Sequence, residues 1–133
     1  MMAGLARGIV LLAGPHRLCN RKEHRMPGFK LMVLLNRLEG VSFEEYERYF
    51  FEKHLPYVLA IPGLRGYKVN LRHPSDDTAP YDGISEFLFD DRAAFDRAMA
   101  SPETEATLAD AAKFLDPPQL LLVDERVVLP PGA

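Results

Sequence analysis

An α+β domain in the order β-α-β-β-α-β is what this sequence predicts, with one antiparallel four-stranded sheet and its helices on one face. Three observations carry that reading. Residues 29–37 (FKLMVLLNR) are almost continuously apolar and too short for a helix. Phe43, Tyr46, Phe50 and His54 recur at spacings of three and four, which is one face of a helix. Residues 64–72 and 81–89 alternate, and each is bounded by turn-forming residues.

Taken in order, the folded pattern begins after Met26. The run 29–37 reads as a strand buried on both faces. Ser42 with Glu45 three residues on makes a capping box, which marks the start of a helix. Glu44, Glu45, Arg48, Glu52 and Lys53 lie largely off its aromatic stripe and can face water. Pro56 is expected to stop the helix, because a residue preceding proline is pushed out of the α region. Ile61-Pro62-Gly63-Leu64 turns the chain into a strand with Arg65, Tyr67, Val69 and Leu71 on one face. Residues 73–80 form a polar loop rich in turn formers. In the third strand, 81–89, Ile84, Glu86 and Leu88 share one face, and Ser85, Phe87 and Phe89 the other. Asp90 or Asp91 caps a helix over 92–100, with Phe95, Ala98 and Met99 inward. Ser101-Pro102-Glu103 opens another helix, with Leu108, Ala111, Ala112 and Leu115 as its apolar stripe. Asp116-Pro117-Pro118 breaks it, residues 119–129 (QLLLVDERVVL) read as the last strand, and 130–133 are a tail. This is the ferredoxin-like, split βαβ pattern. The first and last strands are apolar on both faces, while helices cover only one. The other sheet face therefore needs an outside cover, and a second copy packed sheet against sheet is the simplest one.

The 133 residues fit one domain of ordinary size, and a hydrophobic fraction of 47% supports a core without disulfides or metal. Sixteen basic and nineteen acidic residues give a formal charge of −3. The body holds no basic run, which argues against a nucleic-acid partner. The single cysteine, Cys19, makes no intrachain disulfide and fits a reducing cytoplasm. Residues 1–26 differ from the rest. Their apolar run, 8–14, sits at the short end of signal-peptide lengths and is far too short to span a bilayer. His16, Cys19 and His24 lack the second cluster that a zinc site needs, so the segment reads as a disordered tail or an over-extended reading frame before Met26.

The chemistry centres on His54 and Tyr67. His54 ends an aromatic stripe near a helix C-terminus. The helix dipole there favours the charged ring and burial the neutral one, so a general acid/base is plausible alongside a plain core histidine. Tyr67 could donate its hydroxyl to a carbonyl or an enolate, or simply pack at a cavity edge. Arg65, on the same strand face, could bind a carboxylate or lie in solvent. Glu86 is flanked by apolar residues and would titrate high if buried alone, or pair with a neighbouring cation. Phe43, Tyr46, Phe50 and Phe51 are core, with Phe50 and Phe51 as candidate ligand contacts. No phosphate loop, dinucleotide fingerprint, nucleophile elbow or zinc motif is present.

Three segments, Phe51-Glu52-Lys53-His54-Leu55-Pro56, residues 61–67 (IPGLRGY) and residues 81–91 (YDGISEFLFDD), resemble the EthD-domain proteins of the dimeric α+β barrel superfamily. The resemblance spans roughly residues 27–129. It implies a homodimer whose two sheets pack into a barrel, and a cavity between each sheet and its helices. Activities in or near that family include an accessory role in ethyl tert-butyl ether degradation, methylmuconolactone isomerisation and polyketide cyclisation. The wider superfamily adds cofactor-free monooxygenases and haem-degrading enzymes. In the lactone isomerases a histidine and a tyrosine matching His54 and Tyr67 lie in the pocket; their other polar pocket residues have no counterpart near Pro80 or in the third strand.

Two functions follow as expectations. One is cofactor-independent proton transfer, by an isomerase or cyclase, on a small apolar carbonyl, lactone or polyketide-like compound. His54 and Tyr67 would be catalytic, with Phe50, Phe51, Arg65 and Glu86 contacting substrate and no metal. The other is a non-catalytic accessory protein of an oxidative degradation pathway. A haem-handling role is a more remote third. The expected partners are a second copy through the sheet face and a small apolar or aromatic ligand, with no nucleic acid or membrane.

Overall fold

The computed structural model describes residues 24–25 and 27–132. The readings made above for residues 1–23 and for Met26 lie outside them. The chain divides into two compact units. In the smaller one β1 (His24–Arg25) pairs antiparallel with β6 (Arg126–Val127), His24 opposite Val127. The segment expected to be a tail thus contributes one short strand.

The larger unit, Gly28–Val123, carries the expected fold. Its strands are β2 (Phe29–Leu35), β3 (Gly66–Leu71), β4 (Gly83–Phe89) and β5 (Gln119–Val123), in the sheet order β3-β4-β2-β5. All three pairings are antiparallel. The last strand is shorter than the apolar run predicted. Val123 lies opposite Lys30, one residue from the start of β2, so the partner strand ends there.

The helices are α1 (Phe43–Tyr49), α2 (Leu55–Leu59), α3 (Arg92–Met99) and α4 (Pro102–Ala111). Both halves of the Ser42/Glu45 capping box form. Asp91 and Ser101 cap α3 and α4 by accepting from the amides of Ala94 and Thr104. These caps satisfy orphan amide protons at the points where the sequence places them.

Pro56 does not stop the first helix. Residues Phe50–His54 form a π turn that joins α1 to α2. The Leu55 amide donates to the Phe50 carbonyl, five residues back. Pro56 then falls in the first turn of α2, where a missing amide proton is tolerated. The π turn absorbs the proline that a regular α-helix would have rejected.

Leu31, Val33 and Leu35 project from β2 towards the helices and pack with Tyr46, Phe50, Ala111, Phe114 and Leu115. Phe89 anchors a second cluster with Val58, Ile61, Ala94 and Ala98. On α4 the buried face runs through Thr104, Thr107, Asp110 and Ala111. Of the predicted stripe, Ala111 and Leu115 are buried as expected, whereas Leu108 and Ala112 are exposed. The opposite sheet face keeps Met32, Leu34, Ile84 and Leu88 partly exposed and Leu121 more so. Among the described residues no helix is long and apolar enough to cross a membrane.

One strained contact lies in this core. The Tyr46 hydroxyl is sealed from solvent without a hydrogen-bond partner. It sits 2.8 Å from where a side chain on Gly83 would begin, and the Asn70 carbonyl is 3.0 Å from the same point. Gly83→Ala is therefore expected to cost about 1–3 kcal/mol. Tyr46→Phe, which removes an unsatisfied polar atom, is expected to be neutral or to stabilise by about 1 kcal/mol. Urea unfolding of the two single variants and the double variant checks both, and the double variant should recover part of the Gly83→Ala loss.

Candidate functional site

The helices and the sheet enclose a cavity of about 120 Å³. Its walls come from Leu31, Val33 and Leu35 of β2, Phe50 and His54 of the π turn, Tyr67 of β3, Ser85 and Phe87 of β4, and Thr104, Thr107 and Leu108 of α4. A cavity of this order takes up a single benzene-sized ring. Its open side runs between α4 and the edge strand β5, where Leu108 is 57% and Leu120 61% exposed although both line it.

His54 is 4% exposed, and its ring meets Phe50 and Phe114 edge-on, with centroids 5.3 and 5.2 Å away. Nδ1 lies 2.9 Å from Oδ2 of Asp110, itself 3% exposed. The Tyr49 hydroxyl donates to the other carboxylate oxygen at 2.8 Å, and Lys113 Nζ stands 3.6 Å from it. Burial pushes the Asp110 carboxyl up, but the bonds from His54 and Tyr49 outweigh it and the net movement is below the usual carboxylate range. For His54, burial pulls the ring down, the Asp110 bond pulls it up, and burial wins. At neutral pH the pair is a carboxylate and a neutral imidazole. The carboxylate can only accept, so Nδ1 carries the proton and Nε2 the lone pair. Among the described residues Nε2 has no hydrogen-bond partner, and it is not sealed from solvent, which leaves it as the edge of His54 free to face the cavity.

Tyr67 reaches the same cavity from the sheet, its ring 4.8 Å from that of Phe87 on the neighbouring strand. Burial pushes its hydroxyl up to about 12, with the Ser85 hydroxyl pulling weakly the other way. It is a proton donor throughout the physiological range. An unprotonated base and a protonated hydroxyl thus face one apolar space, which suits proton abstraction next to a carbonyl.

His54, Tyr67 and Phe50 are therefore brought together, whereas Phe51, Arg65 and Glu86 are not among the cavity walls. Phe51 is exposed and packs on Phe50 from outside. Arg65 precedes β3 and makes an exposed ion pair with Asp90 at 2.8 Å. Glu86 points to the other sheet face, where Lys30 donates to it at 2.9 Å and Asn70 at 3.0 Å. The bond from Lys30 leads those that hold its carboxyl below the usual range, the reverse of the high titration expected of a buried, lone glutamate. Asp110 and Ser85 went unrecognised as site residues. Ser85 was placed on the correct face. Asp110 is six residues beyond Thr104 and three beyond Thr107, a polar stripe hidden by the more obvious leucines. Among the described residues no group of three or more histidine, cysteine or acidic side chains is gathered for a metal.

Residues 38–118 match the family model described as the EthD domain. Over 105 residues the chain is 29% identical to an uncharacterised 11.0 kDa protein in the thcB-thcC intergenic region of Rhodococcus erythropolis, covering 77% of this chain and 99% of that one. The crystal structure of an EthD family protein from Bacillus halodurans superposes with a TM-score of 0.63 at 28% identity, covering 74% of this chain and 98% of that one. A dimeric ferredoxin-like protein of unknown function from Thermobifida fusca shares the fold, with a TM-score of 0.59 at 19% identity over 77% of this chain and 95% of that one.

The buried pair makes stability depend on pH with a definite sign. A histidine whose folded value lies below its ordinary 6.5 favours folding above that pH, and the contribution is lost as pH falls below it. Asp110 behaves likewise below its ordinary 3.8. Unfolding free energy is expected to decline as pH drops from neutrality through 6, and His54→Leu should flatten that decline. Urea titrations across this range check it, and nitrogen NMR of the wild type should find the proton on Nδ1 at pH 7.

Proposed function

The chain belongs to the EthD family, and on the geometry of its cavity we propose that it moves a proton on a small, mostly apolar carbonyl compound without a cofactor. The observation that carries this reading is the His54–Asp110 pair, which leaves a neutral imidazole nitrogen on an apolar cavity opposite the Tyr67 hydroxyl. His54 Nε2 takes a proton from carbon or oxygen next to the carbonyl. Tyr67, with Ser85 beside it, donates to the oxygen that becomes negative. The imidazolium formed is held by Asp110, and returning the proton at another atom completes an isomerisation or a ring closure. A lactone or a polyketide-like enone presents such a carbonyl.

The same reading includes a homodimer through the outer sheet face. The helices pack on the face of Leu31, Val33 and Leu35, which leaves Met32, Leu34, Ile84, Leu88 and Leu121 without cover from them. The Lys30–Glu86 pair at the centre of that face would be enclosed by a second copy. Sedimentation at micromolar concentration should give a dimer; a stable monomer would overturn this part.

Thermal-shift screening of lactones, phenols and aromatic polyketides against wild type and His54→Ala comes first, since a ligand that binds only the native state raises its melting temperature. With a substrate in hand, His54→Ala is expected to lower kcat about a hundred- to ten-thousand-fold. Asp110→Asn should lower kcat with KM unchanged. It should also move the acid limb of the pH profile downward, because Asp110 is what raises the His54 value. Ligand binding without turnover by the wild type, with His54→Ala changing only affinity, would instead indicate the accessory role.

A further inference from the structure

The cavity contains a second piece of information, about charge. Among the described residues, no lysine, arginine, aspartate or glutamate is among its walls. Lys30 is turned to the opposite sheet face, paired with Glu86, and Arg65 is held outside by Asp90. Two of the polar wall residues are already occupied. Thr104 donates its hydroxyl to the Ala98 carbonyl at 2.7 Å, and the single Thr107 hydroxyl proton is shared between the carbonyls of Tyr57 and Glu103 at 3.1 and 2.8 Å. That leaves His54 Nε2 and the Tyr67 hydroxyl, which the Ser85 hydroxyl supports from its side, to meet a ligand. Behind His54 stands the Asp110 carboxylate, with the exposed Lys113 ammonium beyond it. An anionic ligand would lose its hydration here and find no cation among the walls.

Size adds a second constraint. A space of about 120 Å³ holds a ring and little more, so a larger ligand must leave its remainder at the open side. There the half-exposed Leu108 and Leu120 offer only apolar surface. Building on the pocket reading above, we propose that the cavity selects by charge: it accepts an uncharged, weakly acidic enol, phenol or carbonyl compound, whose apolar extension lies on Leu108 and Leu120, and rejects counterparts that carry a carboxylate. Carboxylated lactones are thereby excluded as substrates of this chain, and neutral ones retained.

A matched pair of probes tests this by calorimetric titration at pH 7.5: 4-propylphenol, neutral there, and 4-propylbenzoate, anionic and nearly the same shape. The phenol should bind, with the benzoate weaker by at least about a hundredfold. In Leu120→Arg, a change at an exposed position, a guanidinium would replace the apolar surface under the propyl end, and the phenol should bind about tenfold more weakly with no gain for the benzoate. Equal affinity of the two probes for wild type would overturn the charge selection while leaving the pocket reading in place. Binding of neither would overturn both. Unchanged phenol affinity in Leu120→Arg would overturn the placement of the apolar extension on Leu120.

Discussion

The bond between His54 and Asp110 is the constraint on which the helical layer depends. It joins the π turn to α4 across the core, between two side chains that are each almost fully buried. Neither could stay there alone. A lone carboxylate would be left with an unpaid desolvation cost, and a lone imidazole with an unsatisfied donor. Tyr49 closes the arrangement by donating to the remaining carboxylate oxygen, so three polar groups from three elements, α1, the π turn and α4, satisfy one another. The aromatic rings of Phe50 and Phe114 shield the imidazole on two sides. The result fixes the ring, its tautomer and the spacing of the helices over the sheet together.

The π turn has its place in the same arrangement. An uninterrupted α-helix would meet Pro56 with a carbonyl that has lost its donor and faces the proline ring. Widening Phe50–His54 by one residue per turn moves the proline into the opening turn of a new segment. His54 lies at the end of the widened turn, with its side chain still on the stripe begun by Tyr46 and Phe50. The proline and the histidine are thus parts of one local solution: the turn that accommodates the first also presents the second.

The sequence was most legible where one physical rule acted alone. Strand alternation gave the inward faces of β3 and β4, because side chains in an extended chain cannot avoid alternating. Capping chemistry marked the starts of α1, α3 and α4 for the same reason. Legibility failed where two rules competed. Pro56 was read as a stop because its cost in an α-helix is large, and nothing in the residue types announces a π turn. On α4, Leu108 drew the eye to the wrong face, since hydrophobicity there serves the cavity's open side rather than the core. That misreading hid Asp110, and with it half of the buried pair. Glu86 illustrates a different limit. Its face was correctly read, but its partner Lys30 lies 56 residues away on another strand, and only the sheet register brings them together.

The two titrations at the cavity are driven apart by one cause. Burial disfavours whichever form carries charge, so it lowers the cationic imidazole and raises the anionic phenolate. At neutral pH His54 is therefore placed to begin as a base and Tyr67 as a donor. Roles that in a solvated site would depend on conditions are separated here by burial. In the proposed reaction the same burial raises the cost of the ion pair created when a proton moves from ligand to His54. Asp110 offsets the cationic side of that pair and the Tyr67 hydroxyl the anionic side. The proposed chemistry is accordingly one in which both charges appear together and disappear together, which is the pattern of a proton taken from one atom and returned to another.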